Sequence, residues 1–431
     1  MMVYFILSAI LALLLVFSLM KVSAECSIMW DKTYGGTEWD RGPSLVVASD
    51  GGCVLAGYTN SFGEGGADAW LIKTDASGNM MWNHTYGGAN FDSASCLVAT
   101  SDGGYAMAGQ TYSLGAGNAD FYLVKTDATG NMVWQKAYGG TEEDRAYSLV
   151  VTSDGGYALA GYTYFSDTQS YDFWLVKTDS SGNMEWSQAY GGTEYDYAFS
   201  LVATSDGGYA IAGETGSFGL EGDFWLVKTD ASGNMMWSQN YGGAKYDRAY
   251  SLAVSSDGGY VIAGSISLSD ENVDFGLVKA DASGNEIWQK TYDGDVEDVA
   301  KSVIQTSDGG YAVGGFTGDP FTGAYPDAWL VKTDASGNME WNQIFGGEGY
   351  DGVCCVVQTG DGGYALAAEK SEIGTENYDF WLVKTDAEDT TEPSPTDGSA
   401  LALPIEYVYV AVIAVLIVIV VIALIAYRKR K

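Results

Sequence analysis

Between residues 27 and 386 the chain alternates short β-rich runs with turns of Asp, Ser and Gly. Residues 144–192 hold four such runs, AYSLVVTS, YALAGYTY, DFWLVKTD and NMEWSQAY. SDGG joins the first two runs and DSSG the last two, and both provide the glycine that a tight turn favours. The pattern predicts a unit of four antiparallel strands, which we call strands a, b, c and d. No segment between the termini has the period of an amphipathic helix.

The unit recurs with a period of about 50 residues, which is typical of propellers, solenoids and arrays. The first copy begins with a d-type strand alone (residues 27–36), and the last copy ends after its c-type strand (residues 379–386). The N-terminal strand therefore supplies what the last unit lacks. We predict an all-β fold, a single seven-bladed β-propeller over residues 25–386 that the N-terminal strand closes. The turn aspartates that mark the seven copies are Asp50, Asp102, Asp154, Asp206, Asp257, Asp308 and Asp361.

The two ends of the chain predict where the protein is located. Residues 1–24 are mostly apolar and end in small residues, as in a secretory signal peptide. Residues 387–406 are rich in Pro, Ser, Thr and acids and predict a linker. Residues 407–427 are apolar throughout and predict a transmembrane helix, and the basic residues 428–431 predict a cytoplasmic tail. We therefore expect a single-pass cell-membrane protein with its N-terminal ectodomain outside.

Charge and composition exclude several classes of function. The chain has 56 acidic and 21 basic residues, a net charge of −35, and one histidine. A surface this negative repels phosphate backbones, so we expect no nucleic-acid partner. With His84 as the one histidine, His-rich metal sites and catalytic triads that contain His are nearly excluded.

The repeat resembles a known group of proteins. The phrase DAWLIKTDASGNMMWNHTYGG and the phrase DGGYALAGYT are similar to the seven-bladed β-propeller repeats of secreted and cell-surface bacterial and archaeal proteins. The resemblance covers about residues 27 to 386. It implies a propeller fold and an extracellular location, and it implies no particular ligand.

Two further residues recur in the units. Each strand d has a tryptophan, which we interpret as packing between blades, the alternative being a platform for sugars. Each strand c has a lysine, which we expect to neutralise a neighbouring Asp or to extend along the blade edge. The tryptophans are Trp30, Trp82, Trp134, Trp186, Trp237, Trp288 and Trp341.

The b–c loops differ in length and chemistry from copy to copy, whereas the a–b and c–d turns hardly change. Variable loops on a constant scaffold are typical of a binding surface, and unselected drift is the alternative. The d–a loops share the face of the b–c loops. Their acidic and aromatic residues are our candidate binding residues: Glu38, Trp39, Glu142, Glu143, Tyr195, Tyr246 and Tyr350.

An aspartate opens each strand a, and a second series of aspartates opens strand c on the same face. One interpretation is a ring of carboxylates that binds Ca²⁺. The alternative is that each Asp accepts backbone N–H hydrogen bonds from its own loop or from the next blade. The candidate metal ligands are Asp40, Asp92, Asp144, Asp196, Asp247, Asp298 and Asp351.

Asn83-His84-Thr85 is the one N-glycosylation sequon of the chain. It lies on the predicted outer strand d, a position that is reachable in a secreted chain. Asn83 is therefore our candidate glycosylation site.

We predict a non-catalytic binding scaffold for an extracellular protein or glycan, anchored by its own C-terminal helix. A surface-coat or spacer protein, and a glycan hydrolase or lyase that uses carboxylates, are the alternatives. An enzyme would need a polar cluster that breaks the repeat, and we expect none because the acids recur regularly. We predict no catalytic residue, no required cofactor beyond candidate Ca²⁺, and a monomeric propeller.

Overall fold

The fold consists of β-strands joined by tight turns and loops. The computed structural model describes residues 26–219, 222–243, 245–269, 272–292, 297–318, 325–371 and 377–387. The predicted signal peptide, transmembrane helix and basic tail lie outside these ranges, as does the predicted linker apart from its first residue. Within the ranges, no helix has the length and apolar character that crossing a bilayer requires.

The described residues contain 28 strands. In chain order they are β1 (Ile28–Tyr34), β2 (Asp40–Val47), β3 (Cys53–Thr59), β4 (Asp68–Thr74), β5 (Met80–Tyr86), β6 (Asp92–Ala99), β7 (Tyr105–Thr111), β8 (Asp120–Thr126), β9 (Met132–Tyr138), β10 (Asp144–Val151), β11 (Tyr157–Phe165), β12 (Ser170–Thr178), β13 (Met184–Tyr190) and β14 (Asp196–Ala203). They continue with β15 (Tyr209–Thr215), β16 (Asp223–Thr229), β17 (Met235–Tyr241), β18 (Arg248–Val254), β19 (Tyr260–Ser269), β20 (Asn272–Ala280), β21 (Glu286–Tyr292), β22 (Glu297–Gln305), β23 (Tyr311–Gly318), β24 (Asp327–Thr333), β25 (Met339–Phe345), β26 (Asp351–Gln358), β27 (Tyr364–Ser371) and β28 (Tyr378–Thr385).

Consecutive strands pair into antiparallel sheets. Five sheets have four strands each, and β18 to β25 form one sheet of eight. Its two halves, β18 to β21 and β22 to β25, are joined by one parallel residue pair, Val273 with Glu297. Every unit read from the sequence is thus a set of four antiparallel strands.

The first strand of the chain completes the last sheet. This sheet has the order β1-β28-β27-β26, and β1 pairs antiparallel with β28 from Ile28 opposite Thr385 to Tyr34 opposite Phe380. Beyond the ladder, the N–H of Asp386 donates to the carbonyl oxygen of Ser27 at 3.0 Å. The pairing predicted between the two ends of the repeat region is therefore present.

The a-type strands contact one another in chain order, and β26 contacts β2. Hydrogen bonds fix these contacts, such as the N–H of Leu97 donating to Ser44 Oγ at 2.9 Å. Between the last a-type strand and the first, Cys355 Sγ lies 3.9 Å from Leu45 O. The a-type strands therefore form a closed ring.

Strands b and c are buried on both faces, which explains why their sequences alternate poorly between apolar and polar residues. Leu71 of the first four-stranded sheet and Met107 of the next belong to one core cluster. The tryptophan of strand d lies against the first residue of the next strand b, as in Trp134 and Tyr157, whose ring centroids are 5.8 Å apart. These contacts confirm that the repeated tryptophans pack between sheets.

Strand d ends in a buried tyrosine that bonds to the c–d turn of the next sheet. Tyr190 Oη donates to the carbonyl oxygen of Gly233 at 2.6 Å. Strand β25 instead ends in Phe345, which packs in one cluster with Cys26. Its neighbour is the last sheet, where strands c and d come from opposite ends of the chain and no turn joins them. The same hydrogen bond joins Tyr34 to Gly78, Tyr86 to Gly130, Tyr138 to Gly182, Tyr241 to Gly284 and Tyr292 to Gly337.

The strand c lysines neutralise the aspartates of the a–b turns, which was one of the two roles predicted for them. Lys279 Nζ lies 2.8 Å from Asp257 Oδ1, and its hydrogen bond is the main cause that lowers the pKa of Asp257 to about 2. The lysine is buried and the aspartate exposed, so each pair attaches a turn to the core. The other pairs are Lys73–Asp50, Lys125–Asp102, Lys177–Asp154, Lys228–Asp206, Lys332–Asp308 and Lys384–Asp361.

Tyr190→Phe is expected to lower the free energy of unfolding by about 1 to 3 kcal/mol, because it leaves a buried carbonyl of the next sheet unpaired. Urea denaturation followed by circular dichroism measures the change. Tyr325→Phe is the matched control, since Tyr325 is 52% exposed. Equal stability of the two variants would contradict the role given to this bond.

Candidate functional site

A cavity of about 460 Å³ opens where the beginnings of the a-type strands meet, and we call it the central pocket. Six of its side chains stand three residues after the strand a aspartate of successive copies. Its lining consists of Arg41, Ser95, Tyr147, Phe199, Tyr250, Lys301, Phe316, Tyr350, Gly352, Val353, Cys354 and Glu369.

A β-bulge in strand a directs these side chains. In β10, Ala146 pairs with Gly161 and Ser148 with Ala160, so that Tyr147 is the additional residue between them. Ala146 is buried in the core. A bulge re-aims the side chain of its extra residue, here toward the pocket instead of the sheet neighbours. The irregularity recurs in the other a-type strands, which explains why one position per copy lines the pocket.

Three of the five arginines of the chain directly follow a strand a aspartate, and the other two are in the basic tail. Arg41 Nε donates to Glu369 Oε2 at 2.9 Å, and Arg248 Nε donates to Glu214 Oε2 at 2.5 Å. Both glutamates belong to strand b of the preceding sheet, so the ion pairs join neighbouring sheets. Arg145 pairs with a glutamate of its own d–a loop.

The environment keeps these guanidinium groups charged. Burial acts to lower the pKa of Arg41, but the charge and hydrogen bond of Glu369 outweigh it and raise that pKa above its ordinary value. For Arg248 burial is likewise outweighed, by Tyr250 and Glu214. One of these ion pairs, Arg41 with Glu369, lines the central pocket of a strongly acidic chain.

Aromatic rings form one wall of the central pocket. Tyr147 and Phe199 have ring centroids 5.1 Å apart, and Phe199 and Tyr250 are 5.5 Å apart. Lys301 Nζ lies 3.4 Å from the ring centroid of Tyr250, in a cation–π contact. The wall thus combines tilted aromatic rings with the ammonium group of Lys301 and the guanidinium group of Arg248, whose Cζ lies 5.6 Å from the ring centroid of Phe199.

The predicted binding residues lie on this same side of the molecule. Tyr350 lines the central pocket and contacts Phe316, with ring centroids 5.9 Å apart. Tyr246 donates its hydroxyl to Glu214, next to Arg248. The structure therefore brings two of the predicted residues into or beside the pocket.

The remaining predicted binding residues lie outside the central pocket, on the loops of this side. Trp39 is 43% exposed and meets Tyr378 edge-on. Tyr195 is 50% exposed and stacks on Tyr197, with ring centroids 6.1 Å apart. The acidic residues are Glu38, which is exposed, and Glu142 and Glu143, which are half-buried. Their part in binding stays a prediction.

The strand a aspartates are buried, and the partners of Asp40 come from the d–a loop, the end of strand b and the b–c loop. Asp40 accepts hydrogen bonds from the N–H of Gly36 at 2.7 Å, from Ser61 Oγ at 2.7 Å and from Thr59. Asp92 has the equivalent partners, Gly88, Thr111 and Ser113. Within the described ranges, no three His, Cys, Asp or Glu side chains are grouped so as to hold a metal ion. Asp40, Asp92, Asp144, Asp196, Asp247, Asp298 and Asp351 are all at most 2% exposed.

The two aspartate series meet at the first glycine of the YGG sequence. A Cβ on Gly87 would lie 2.3 Å from Asp68 Oδ1 and 2.5 Å from Asp92 Oδ2, and Gly87 has a φ of 154°. Burial is the main cause that raises the pKa of Asp68 to about 6, and the charge of Asp92 adds to it. Glycine therefore allows two carboxyl groups to approach one backbone segment closely.

Asn83 is exposed on β5, as predicted for a glycosylation site. Its Oδ1 accepts a hydrogen bond from Trp70 Nε1 at 3.1 Å, and its Nδ2 lies 3.3 Å from Met80 Sδ. Nδ2 is the atom that a glycan would modify. Glycosylation of Asn83 stays a prediction.

The sequence pattern did not indicate the central pocket, and no polar cluster that breaks the repeat was expected. The structure shows such a cluster, in which Arg248, Glu214 and Tyr246 contact one another and no other copy has the same three residues at these positions. A signal was present in the sequence. The first and third residues after the strand a aspartate vary between copies, as in Arg145 and Tyr147 or Val299 and Lys301, whereas the residue between them is Gly, Ala or Val.

Calcium binding by the strand a aspartates also stays a prediction, and their hydrogen bonds lead us to expect no strong site. The thermal midpoint of the full chain is expected to be the same in EDTA and in millimolar Ca²⁺, with Mg²⁺ as the control for ionic strength. A cation that binds only the folded state would raise the midpoint. A rise with Ca²⁺ that Mg²⁺ does not cause would contradict this expectation.

Stability is expected to rise as the pH falls from 7 to about 4. Burial raises the pKa of Asp68, Asp120, Asp172 and Asp247 to about 6, against about 3.9 in the unfolded chain. Their contribution is therefore fully present below pH about 4 and is lost as the pH rises through 6. The turn aspartates, such as Asp257 with a pKa of about 2, contribute in the opposite sense below pH 4.

Thermal melts between pH 2.5 and 8 test this dependence. Asp68→Asn is the matched variant, because it removes one titrating group while keeping the side-chain shape. It is expected to flatten the rise between pH 6 and 4. A midpoint that is higher at pH 7 than at pH 4.5 would show that other groups dominate.

Comparisons with known proteins bear on the fold. No family model matches the chain. A segment is 29% identical over 165 residues to the regulatory protein FlaEY of Caulobacter vibrioides, covering 32% of this chain and 17% of that protein. The chain therefore spans less than a fifth of the length of this relative.

Two solved structures are similar in fold. The WD40 domain of Neurospora crassa Pan2 has a TM-score of 0.53 at 10% identity, over 86% of this chain and 98% of that domain. Puromycin hydrolase has a TM-score of 0.51 at 11% identity, over 83% of this chain and 55% of the hydrolase. Together with the repeated four-stranded antiparallel sheets, these similarities show that the chain has a β-propeller fold.

Proposed function

We propose that this chain is a membrane-anchored extracellular propeller that binds a protein or glycan through the face containing the central pocket. The observation that carries the proposal is the contrast between the two faces. One face repeats the same Lys–Asp pair in every copy, whereas the other has arginines, aromatic residues and one pocket lysine at positions that differ between copies. A regular scaffold with one irregular concave face suits recognition of a single partner.

The propeller in this proposal has seven blades. The eight-stranded sheet divides into two blades at the single parallel pair between β20 and β22. The closed ring of a-type strands supports this count, because β26 contacts β2. The proposed ectodomain is residues 25–386, between a signal peptide (1–24) and a linker (387–406). The proposal also includes a transmembrane helix (407–427) and a cytoplasmic tail (428–431).

The proposed role is non-catalytic and requires no cofactor. Glycan hydrolysis normally uses two carboxyl groups about 5 to 10 Å apart. Among the described residues that line the central pocket, Glu369 is the one carboxylate, and its ion pair with Arg41 occupies it. The pocket is therefore better suited to holding a ligand than to proton transfer.

Binding is tested with the full-length chain in detergent, applied to a glycan array and to microbial cell surfaces. Trp39→Ala combined with Tyr195→Ala is expected to lower the retained protein at least tenfold, because exposed aromatic residues contribute most to such contacts. Met81→Ala combined with Met236→Ala is the control, since both methionines are at least 58% exposed on outer strands. Equal losses in the two variants would contradict the assigned face. No binding by the unmodified chain to any surface would favour a spacer role.

A further inference from the structure

We infer that the central pocket recognises a uronic acid residue, whose carboxylate pairs with Lys301 and whose ring stacks on the aromatic wall. This inference rests on the proposed binding function and names the chemistry of its ligand.

Lys301 is placed for a ligand anion. Its Nζ lies 3.4 Å from the ring centroid of Tyr250 and 5.9 Å from that of Phe316. Within the described residues no carboxylate forms an ion pair with Lys301, whereas every strand c lysine has one. A half-buried ammonium held by rings alone lacks the charge-assisted hydrogen bond that a carboxylate supplies.

The charges of the pocket lining favour one anionic group. The lining contains two cations, Arg41 and Lys301, and one acid, Glu369. Arg41 and Glu369 satisfy each other through two hydrogen bonds. Burial raises the pKa of the Cys354 thiol well above its ordinary value, so the thiol adds no charge. One positive charge thus remains uncompensated inside a chain of net charge −35.

The walls favour a ligand with a flat, rigid body. Tyr147, Phe199 and Tyr250 form a row of contacting rings, with neighbouring ring centroids 5.1 and 5.5 Å apart and ring planes inclined at 67° and 42°. The faces of aromatic rings are negative, and a pyranose offers them positively polarised C–H groups. The volume of about 460 Å³ lies in the range of small-molecule sites and admits one or two sugar rings.

A uronic acid residue combines the two features that the pocket requires. A glutamate or aspartate side chain of a peptide would bring the carboxylate without a flat face for the aromatic wall. Ser95 and the hydroxyls of the lining tyrosines are polar groups that ring hydroxyls can reach. The strong negative charge of the chain repels polyanions, so we expect a single uronic acid in an otherwise neutral glycan to bind best.

The test is titration calorimetry of the full-length chain in detergent with defined probes. The probes are methyl glucuronoside and methyl galacturonoside, their neutral analogues methyl glucoside and methyl galactoside, and N-acetylglutamate. At least one uronide is expected to bind tenfold or more tightly than its neutral analogue. N-acetylglutamate is expected to bind as weakly as the neutral sugars.

Lys301→Met is expected to reduce the affinity for the uronide to that for the neutral sugar, and Lys301→Arg to keep most of the preference. Lys32→Met is the control, because Lys32 is exposed on β1. Thermal melts verify that each variant is folded. If Lys301→Met does not fold, the inference is still tested by whether the unmodified chain prefers uronides over neutral sugars and N-acetylglutamate.

Three outcomes would overturn the inference. They are equal binding of uronides and neutral sugars, binding of N-acetylglutamate as tight as that of the uronide, and a preference that survives Lys301→Met. If the Trp39 and Tyr195 variant loses array binding while Lys301→Met does not, the proposed function stands and this inference fails. If the unmodified chain binds no glycan, cell surface or uronide, both fail.

Discussion

The burial of each sheet between two neighbours is the constraint on which this structure depends. Strands b and c are apolar on both faces, and a sheet at the end of an open stack would expose one of these faces to water. The ring of a-type strands removes that problem, because β26 contacts β2 and β1 completes the last sheet. Tyrosines such as Tyr190 add a hydrogen bond between sheets at the positions where a turn carbonyl is available.

This constraint also determines where the protein can vary. Residues between sheets must keep their size, and turn residues such as Asp257 are held by the lysines of strand c. The loops of one face and the bulged positions of strand a bear neither restriction. Tyr250 and Lys301 occupy bulged positions, and there the copies differ in chemistry. Recognition can therefore use the loops of one face and the bulged positions, because their side chains do not pack between sheets.

The sequence was sufficient for the unit, its four strands, the pairing of the two chain ends and the packing role of Trp134, because each depends on local pattern or on repetition. It was insufficient for the central pocket. Arg41 and Glu369 are separated by 328 positions, and only the closed ring makes them neighbours. The bulge that directs Tyr147 has no residue signature of its own, so strand alternation alone cannot identify the pocket lining. Calcium binding by the strand a aspartates, glycosylation of Asn83 and membrane anchoring stay predictions.

The pairing of β1 with β28 in the last sheet allows the units to follow one another in a different order along the gene. The bond from Asp386 to Ser27 has the same register as the bond from Asp75 to Asn79 within a c–d turn. The two ends of the repeat region therefore lie at the position where every other sheet has a c–d turn. A circularly permuted gene that joins these ends with a DASGN turn and opens another c–d turn would encode the same set of strand pairs. The missing c–d turn of the last sheet is thus set by the order of the units along the gene and not by the packing of the sheets.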